Sequence, residues 1–277
     1  METVMLNTLD DYVQKLESGE RFAVARYGDG EWGAILGKVQ STCYGDVVTP
    51  QLTAAIKNTL LYPKPYHYAS LGEPWSAEVN QWIQQNGVEC KWAKKQVLEQ
   101  ASTDGKLLPF LRALRKRNVL VVGLPRLWKM EDVIGCKTLG MTTNCFGDPD
   151  TAGKLELLKH RPLKSDVVLF ACGLASCVFI HDLWDRTDAT MIDVGSLFDP
   201  YVGYESRRGH RRPEFQEKVR KTLEAMNADD DTIRRHVLED VEATGEPVRQ
   251  GVDAGVPEAT PEIGTEISRP DESEGGP

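Results

Sequence analysis

Hydrophobic and polar positions along the chain follow two periods. In "NTLDDYVQKLESG", Leu9, Val13 and Leu16 recur at helical spacing, with Asn7 or Thr8 placed to cap the start and Gly19 the end. An apolar run over 21–26 follows and predicts a buried strand. "TPQLTAAIKNTLLY" predicts a helix with Thr49 as N-cap, Pro50 at the first position and Leu52, Ile56 and Leu60 on one stripe. "SAEVNQWIQQNG" predicts another, turning Val79, Trp82 and Ile83 inward. The helix "GKLLPFLRALRKR" leads to a strand at 118–122, a strand at 166–171 leads into the helix "ASCVFIHDLWDR", and a strand at 189–194 follows. Short strands that are apolar throughout are buried on both faces, which is the signature of a parallel sheet covered by helices. The pattern therefore predicts an α/β, Rossmann-like fold. It is a mostly parallel sheet with helices on both faces, in a single domain over 1–227. Pro213 opens a further helix with Phe215, Val219 and Leu223 inward, and a C-terminal helix is expected over 228–244.

Charge changes the picture at the C-terminal end. The 277-residue chain has a formal net charge of −9, but residues 228–277 hold 14 of the 42 acidic and only 4 of the 33 basic side chains. The body is close to neutral. From Gly245 onward the chain has no aromatic residue and is dense in Pro, Gly and Glu, so a disordered acidic tail is expected over 245–277, serving solubility or binding a partner. No apolar run reaches membrane-spanning length, and "METVMLNTLDDYVQKL" is amphipathic rather than leader-like. A cytoplasmic protein without a membrane span is expected. The six cysteines, Cys43, Cys90, Cys136, Cys145, Cys172 and Cys177, are scattered without a C-x-x-C pair or clustered histidines, which predicts reduced thiols.

Ligands of open parallel sheets sit beyond the carboxyl ends of the strands. The residues there are "YGDGEW", "GLPRLW", "CGLAS" and "GSLFDPY", and Gly28, Gly30, Gly123, Gly173 and Gly195 all fall at such exits. Gly28, Gly30 and Gly33 match the G-x-G-x-x-G spacing of a dinucleotide turn, yet Asp29 and Glu31 lie between them. A carboxylate about 4 Å from a phosphate is repelled by on the order of 4 kcal/mol at an effective dielectric near 20, so a cation is required. Mg²⁺ or Mn²⁺ binds through one or two carboxylates plus phosphate oxygens. On an extended segment Asp29 and Glu31 fall on the same side and reach one ion. The alternative is a helix start, with Asp29 as N-cap and Glu31 in the first turn. A nicotinamide-dependent oxidoreductase needs an acid about 20 residues on to hold ribose, and Asp46, in "CYGDVV", lies before a helix instead. That reading stays second, and a non-catalytic nucleotide-binding protein third.

"FAVARYGDGEW", "CYGDVVTPQLTAAIKNTL", "LFACGLASCVFIHDLW" and "MIDVGSLFDPY" together resemble the motif series of the GT-D-type glycosyltransferases, over roughly residues 8–205. The resemblance implies a Rossmann-like sheet and a D-x-E motif that binds a nucleotide-diphosphate sugar with a divalent metal. It matches Arg26, Asp29 and Glu31 to the first motif, Gly173 and Ser176 to the glycine turn, and Asp193 and Gly195 to the late one. Beyond that point "GSLFDPYVG" stands where the resemblance leads one to expect a histidine and an acidic-aromatic run.

Residue chemistry agrees. The expected activity is a metal-dependent, hexosyltransferase-like transfer of a sugar from a nucleotide-diphosphate donor, a UDP-sugar foremost, to a hydroxyl of a glycan, a protein or a modified nucleic acid. Asp29 and Glu31 hold Mn²⁺ or Mg²⁺, and Gly28, Gly30, Gly173, Ser176 and Gly195 approach the donor. Arg26 is a phosphate clamp or an ion-pair partner of those acids, and Arg126 is a second phosphate contact or a surface arginine. Asp193 or Asp199 serves as the general base. Arg207, Arg208, Arg211 and Arg212, in "YESRRGHRRPEF", hold diphosphate, reach a polyanionic acceptor such as nucleic acid, or form a solvated loop. Trp32, Trp75 and Trp128 stack on a base or sugar or belong to the core. His181 and Asp182 belong to a helix.

Overall fold

The computed structural model describes residues 6–42, 47–70, 76–94, 96–142, 144–160 and 165–244. Cys43, Asp46, Trp75 and the tail 245–277 lie outside them. Among the described residues seven strands form one sheet: β1 (Ala23–Tyr27), β2 (His67–Ser70), β3 (Lys91–Ala93), β4 (Val119–Gly123), β5 (Lys137–Gly140), β6 (Val167–Ala171) and β7 (Thr190–Asp193). Their order is β3-β2-β1-β7-β6-β4-β5 and every pairing between them is parallel. The four central strands are those the apolar runs predict. The three others, β2, β3 and β5, are short and peripheral.

Helices α1 (Leu9–Ser18), α2 (Asp29–Ile35), α3 (Pro50–Leu61), α4 (Ser76–Gln85), α5 (Val97–Asp104), α6 (Leu108–Arg115), α7 (Met130–Ile134), α8 (Pro149–His160) and α9 (Ser176–Leu183) connect the strands. Helix α10 (Pro213–Thr244) runs without a break across position 227. The described residues up to Asp231 form one compact unit, and those of the second unit are the helical segment 232–244.

Local chemistry explains the helix ends. Thr8 caps α1, its Oγ1 accepting from Asp11 N at 3.2 Å while Asp11 Oδ2 accepts from Thr8 N at 2.8 Å, and Gly19 ends the helix at φ 72°. Thr49 Oγ1 accepts from Leu52 N at 3.1 Å and Pro50 takes the first helical position of α3.

Alternate residues of each central strand feed two cores. Val24, Val121, Leu169 and Ile192 pack with Leu16, Phe110, Ile134 and Val219 on one face. Ala25, Tyr27, Phe170 and Met191 pack with Trp32, Ile56, Leu60 and Ile180 on the other. Both faces exclude water, so the strands carry no polar alternation. Register aligns the carboxyl ends: Phe170 pairs with Asp193, and Gly123 with Ala171. Above β4 and β6 the connections diverge, one outward to β5 and one inward to β7, which opens a crevice there.

Phe110, fully buried beneath the sheet, measures how much the helix layer contributes. Phe110→Ala is expected to lower stability by about 3–5 kcal/mol in urea unfolding, and a loss under about 1 kcal/mol would contradict this packing.

Candidate active site

A cleft of about 660 Å³ opens at the carboxyl ends of β1, β7, β6 and β4, a size typical of small-molecule sites. Its floor comes from the strand exits the apolar pattern points to: Arg26 near the end of β1 and residues 28–31 beyond it, Leu124 and Arg126 after β4, Ala171 at the end of β6 with residues 172–174 beyond it, and Asp193 at the end of β7 with residues 195–197 beyond it. Gln96 and Glu99 of the α5 entry and Arg207, His210 and Arg212 complete the wall.

Asp29 and Glu31 both line this cleft, but not for the reason their spacing suggests. The segment is the first turn of α2 and not an extended run, so positions two apart do not share a side. Gly28 is the N-cap, and Glu31 turns back to it, Oε2 accepting from Gly28 N at 2.7 Å. Asp29 is exposed at the cleft mouth while Glu31 is half-buried. Burial pushes the Glu31 carboxyl above its ordinary value, opposed by the Gly28 N–H and the Arg26 charge. Gly30 also serves packing, since a Cβ there would stand 2.8 Å from Leu174 Cδ2.

Arg26 sits deeper, among carboxylates. Its Nη2 lies 2.6 Å from Glu99 Oε1, a charge contact without hydrogen-bond alignment. Burial works against its charge, but Glu99, Asp193 and Glu31 outweigh that and raise its pKa. Gly195 makes the position possible: it adopts φ +49°, and a Cβ would stand 2.3 Å from Arg26 Nη1. Asp193 is 5 % exposed, and its Oδ1 accepts from Gly195 N at 3.0 Å. Burial pushes its carboxyl up to about 7, with Glu31 and Glu99 adding and Arg26 and the Gly195 N–H opposing.

The other expected site residues divide. Gly28, Gly30, Gly173, Gly195, Arg126 and Arg207 reach the cleft, Arg207 Nε donating to Ser196 Oγ at 2.8 Å. Ser176 is fully buried beneath it, its Oγ accepting from Cys172 N at 3.0 Å, which leaves it a turn-stabilising role. Arg211 is 70 % exposed beside Glu205 and does not line the cleft. Asp199 is 2 % exposed and off the cleft, held by Arg126. Trp32 is core, edge-on to Trp82; Trp128 is exposed. His181, its Nε2 3.0 Å from the Tyr62 carbonyl oxygen, and Asp182 line a separate surface hollow. The five described cysteines are free. Glu99 and Gln96 are cleft residues that the apolar pattern does not reveal; a left-handed Gln96, φ 60°, is visible only in the folded chain.

No protein-family model and no curated protein matches the sequence. Among solved structures the chain is similar to one described as a new glycosyltransferase (DUF1792) from Streptococcus sanguinis. The identity is 14 %, with 70 % of this chain and 82 % of that one covered and a TM-score of 0.53. A selenomethionine structure of domain of unknown function 1792 matches at 14 % identity, over 70 % of this chain and 79 % of that one, with a TM-score of 0.50. The chain has the fold of that glycosyltransferase.

The carboxylates that line the cleft, Asp29, Glu31, Glu99 and Asp193, offer hard oxygen. Among the described residues no three His, Cys, Asp or Glu side chains gather into a closed metal cage. Asp29 and Glu31 both line the cleft, from different sides of the α2 first turn, and their carboxylates suit an ion that takes most of its shell from phosphate and water oxygens, as Mg²⁺ and Mn²⁺ do. No helix among the described residues is long and apolar enough to cross a membrane.

A carboxyl held up at about 7 binds its proton more tightly in the folded than in the unfolded chain. Its contribution to stability is full below about pH 4 and is lost as pH rises through about 7. Asp193→Asn keeps an acceptor oxygen for Gly195 and removes the titration. Its melting temperature relative to the parent is expected to rise between about pH 5 and about pH 8, and a gap that does not change with pH would contradict the buried-acid account.

Proposed function

We propose that the protein is a divalent-metal-dependent glycosyltransferase that takes its sugar from a nucleotide diphosphate, a UDP-sugar foremost. The observation that carries this reading is the meeting, in one strand-exit cleft, of an exposed Asp29, a half-buried Glu31 and a buried Asp193 around Arg26. The shared fold supports it.

Asp29 and Glu31 would hold the Mn²⁺ or Mg²⁺, which when bound stabilises charge on the departing nucleoside diphosphate. Arg26 sits within the same carboxylate cluster and contributes a fixed positive charge at the inner end. In the transfer the acceptor oxygen bonds to the anomeric carbon, the bond from that carbon to the phosphate oxygen breaks, and Asp193 takes the hydroxyl proton. A base near 7 is half-ionised at neutral pH, which suits that task. The acceptor is a hydroxyl of a glycan, protein or modified nucleic acid, and a cytoplasmic location is proposed with it.

Calorimetric titration of UDP with and without Mn²⁺ tests the metal site. Asp29→Asn is expected to weaken Mn²⁺-dependent binding by at least about tenfold, or ~1.4 kcal/mol. Tight NAD binding indifferent to a chelator would overturn the reading in favour of an oxidoreductase. A screen of sugar nucleotides with Mn²⁺ identifies the donor. With that donor, kcat/KM is expected to rise with pH through about 7 in the parent and to lose that limb in Asp193→Asn. A limb that persists in the variant would remove Asp193 from the role.

A further inference from the structure

We infer that Asp199, Arg126 and Tyr204 form a pre-set receptor for a phosphate-type oxyanion on the cleft wall, with Asp199 a positioning residue. The inference deepens the transferase reading but its test does not require turnover.

Asp199 is almost fully buried and does not line the cleft, so an acceptor hydroxyl has no route to its carboxylate. Its Oδ1 accepts from two Arg126 donors, Nε at 3.1 Å and Nη2 at 3.0 Å, while Oδ2 is buried without a hydrogen-bond partner. A buried carboxylate with an unfilled oxygen is costly unless its charge is answered, and Arg126 answers it. From another side the Tyr204 ring lies 4.0 Å from Arg126 Cζ, a cation–π contact that fixes the plane of the guanidinium. Nη1 makes no hydrogen bond to any described residue, and Arg126 lines the cleft. A guanidinium held at one edge and one face presents its remaining N–H groups with little rotamer freedom left to lose, which lowers the cost of binding an anion.

Charge balance points to the same group. Arg26 interacts with Glu99, Asp193 and Glu31, so much of its charge is already answered. Arg126 is paired with one carboxylate, and its planar fork suits two oxygens of a phosphate group. That phosphate belongs to the donor diphosphate or to the acceptor; the chemistry is shared.

The test is a calorimetric titration of inorganic pyrophosphate, without metal, into the full chain and into Arg126→Lys, Asp199→Asn, Tyr204→Leu and the Arg126→Lys/Asp199→Asn pair, each first checked by thermal melt. Tyr204→Leu, altered at a residue 44 % exposed, keeps the test open should Asp199→Asn unfold. The parent is expected to bind, each single change to weaken binding by about three- to tenfold, and the double change to be no weaker than Arg126→Lys alone. No pyrophosphate binding by the parent, or parent-like binding by the folded single variants, would overturn the inference. So would an Asp199→Asn enzyme that binds normally but loses the pH limb of turnover. Coupled binding without sugar transfer to any acceptor would leave the receptor standing and fell the transferase reading instead. Adding UDP separates the sources: displacement of pyrophosphate assigns the receptor to the donor, and joint binding assigns it to a phosphate-bearing acceptor.

Discussion

A guanidinium at the end of a buried strand must be surrounded by negative charge, and the cleft is organised around that requirement. Arg26 extends from the central strand β1 into a site where burial disfavours its charge, and Glu99, Asp193 and Glu31 come from three different elements to offset it. Two of those acids are altered in turn. Asp193, shielded from water and facing other carboxylates, keeps a proton that an exposed aspartate would have lost, and Glu31 shifts in the same direction. Gly195 belongs to the same arrangement, because only a residue without a Cβ leaves room for the Arg26 head at that point of the chain.

The parallel sheet makes the arrangement possible without placing any of these groups in its interior. Hydrophobic residues on both faces hold β1, β7, β6 and β4 in register, so their polar ends meet at one edge, where the packed apolar layers stop. Stability is supplied by the two cores, and the carboxyl edge carries charge that costs stability and provides chemistry. The cleft is asymmetric in consequence: its β1 side is rich in acids and suits a cation, while the β4 side and the segment 207–212 present arginines.

Much of this was legible along the chain. The four central strands are continuous apolar runs because both faces are buried, and their exits mark the floor of the cleft. The strands β2, β3 and β5 were not legible, being three or four residues long with His67, Lys91 and Lys137 in them, and held only by their neighbours. Asp29 and Glu31 stood out as acids among glycines, although the geometry that brings them to the cleft is a helical first turn and not an extended segment. Asp193 and Asp199 look alike in sequence and part in space, one facing the cleft and the other folded beneath it against Arg126. Glu99 left no local signal, since "VLEQASTD" lacks a strong apolar stripe and only tertiary packing sets that helix beside Arg26.

The carboxylates among the glycines after β1 are proposed to share a cation with a diphosphate. Crystals grown with UDP and Mn²⁺ and measured at the manganese absorption edge test it most directly. One anomalous peak is expected in the cleft, within bonding distance of Asp29 and Glu31 carboxylate oxygens and of UDP phosphate oxygens. UDP seated in the cleft with no such peak, or manganese bound away from both carboxylates, would contradict it.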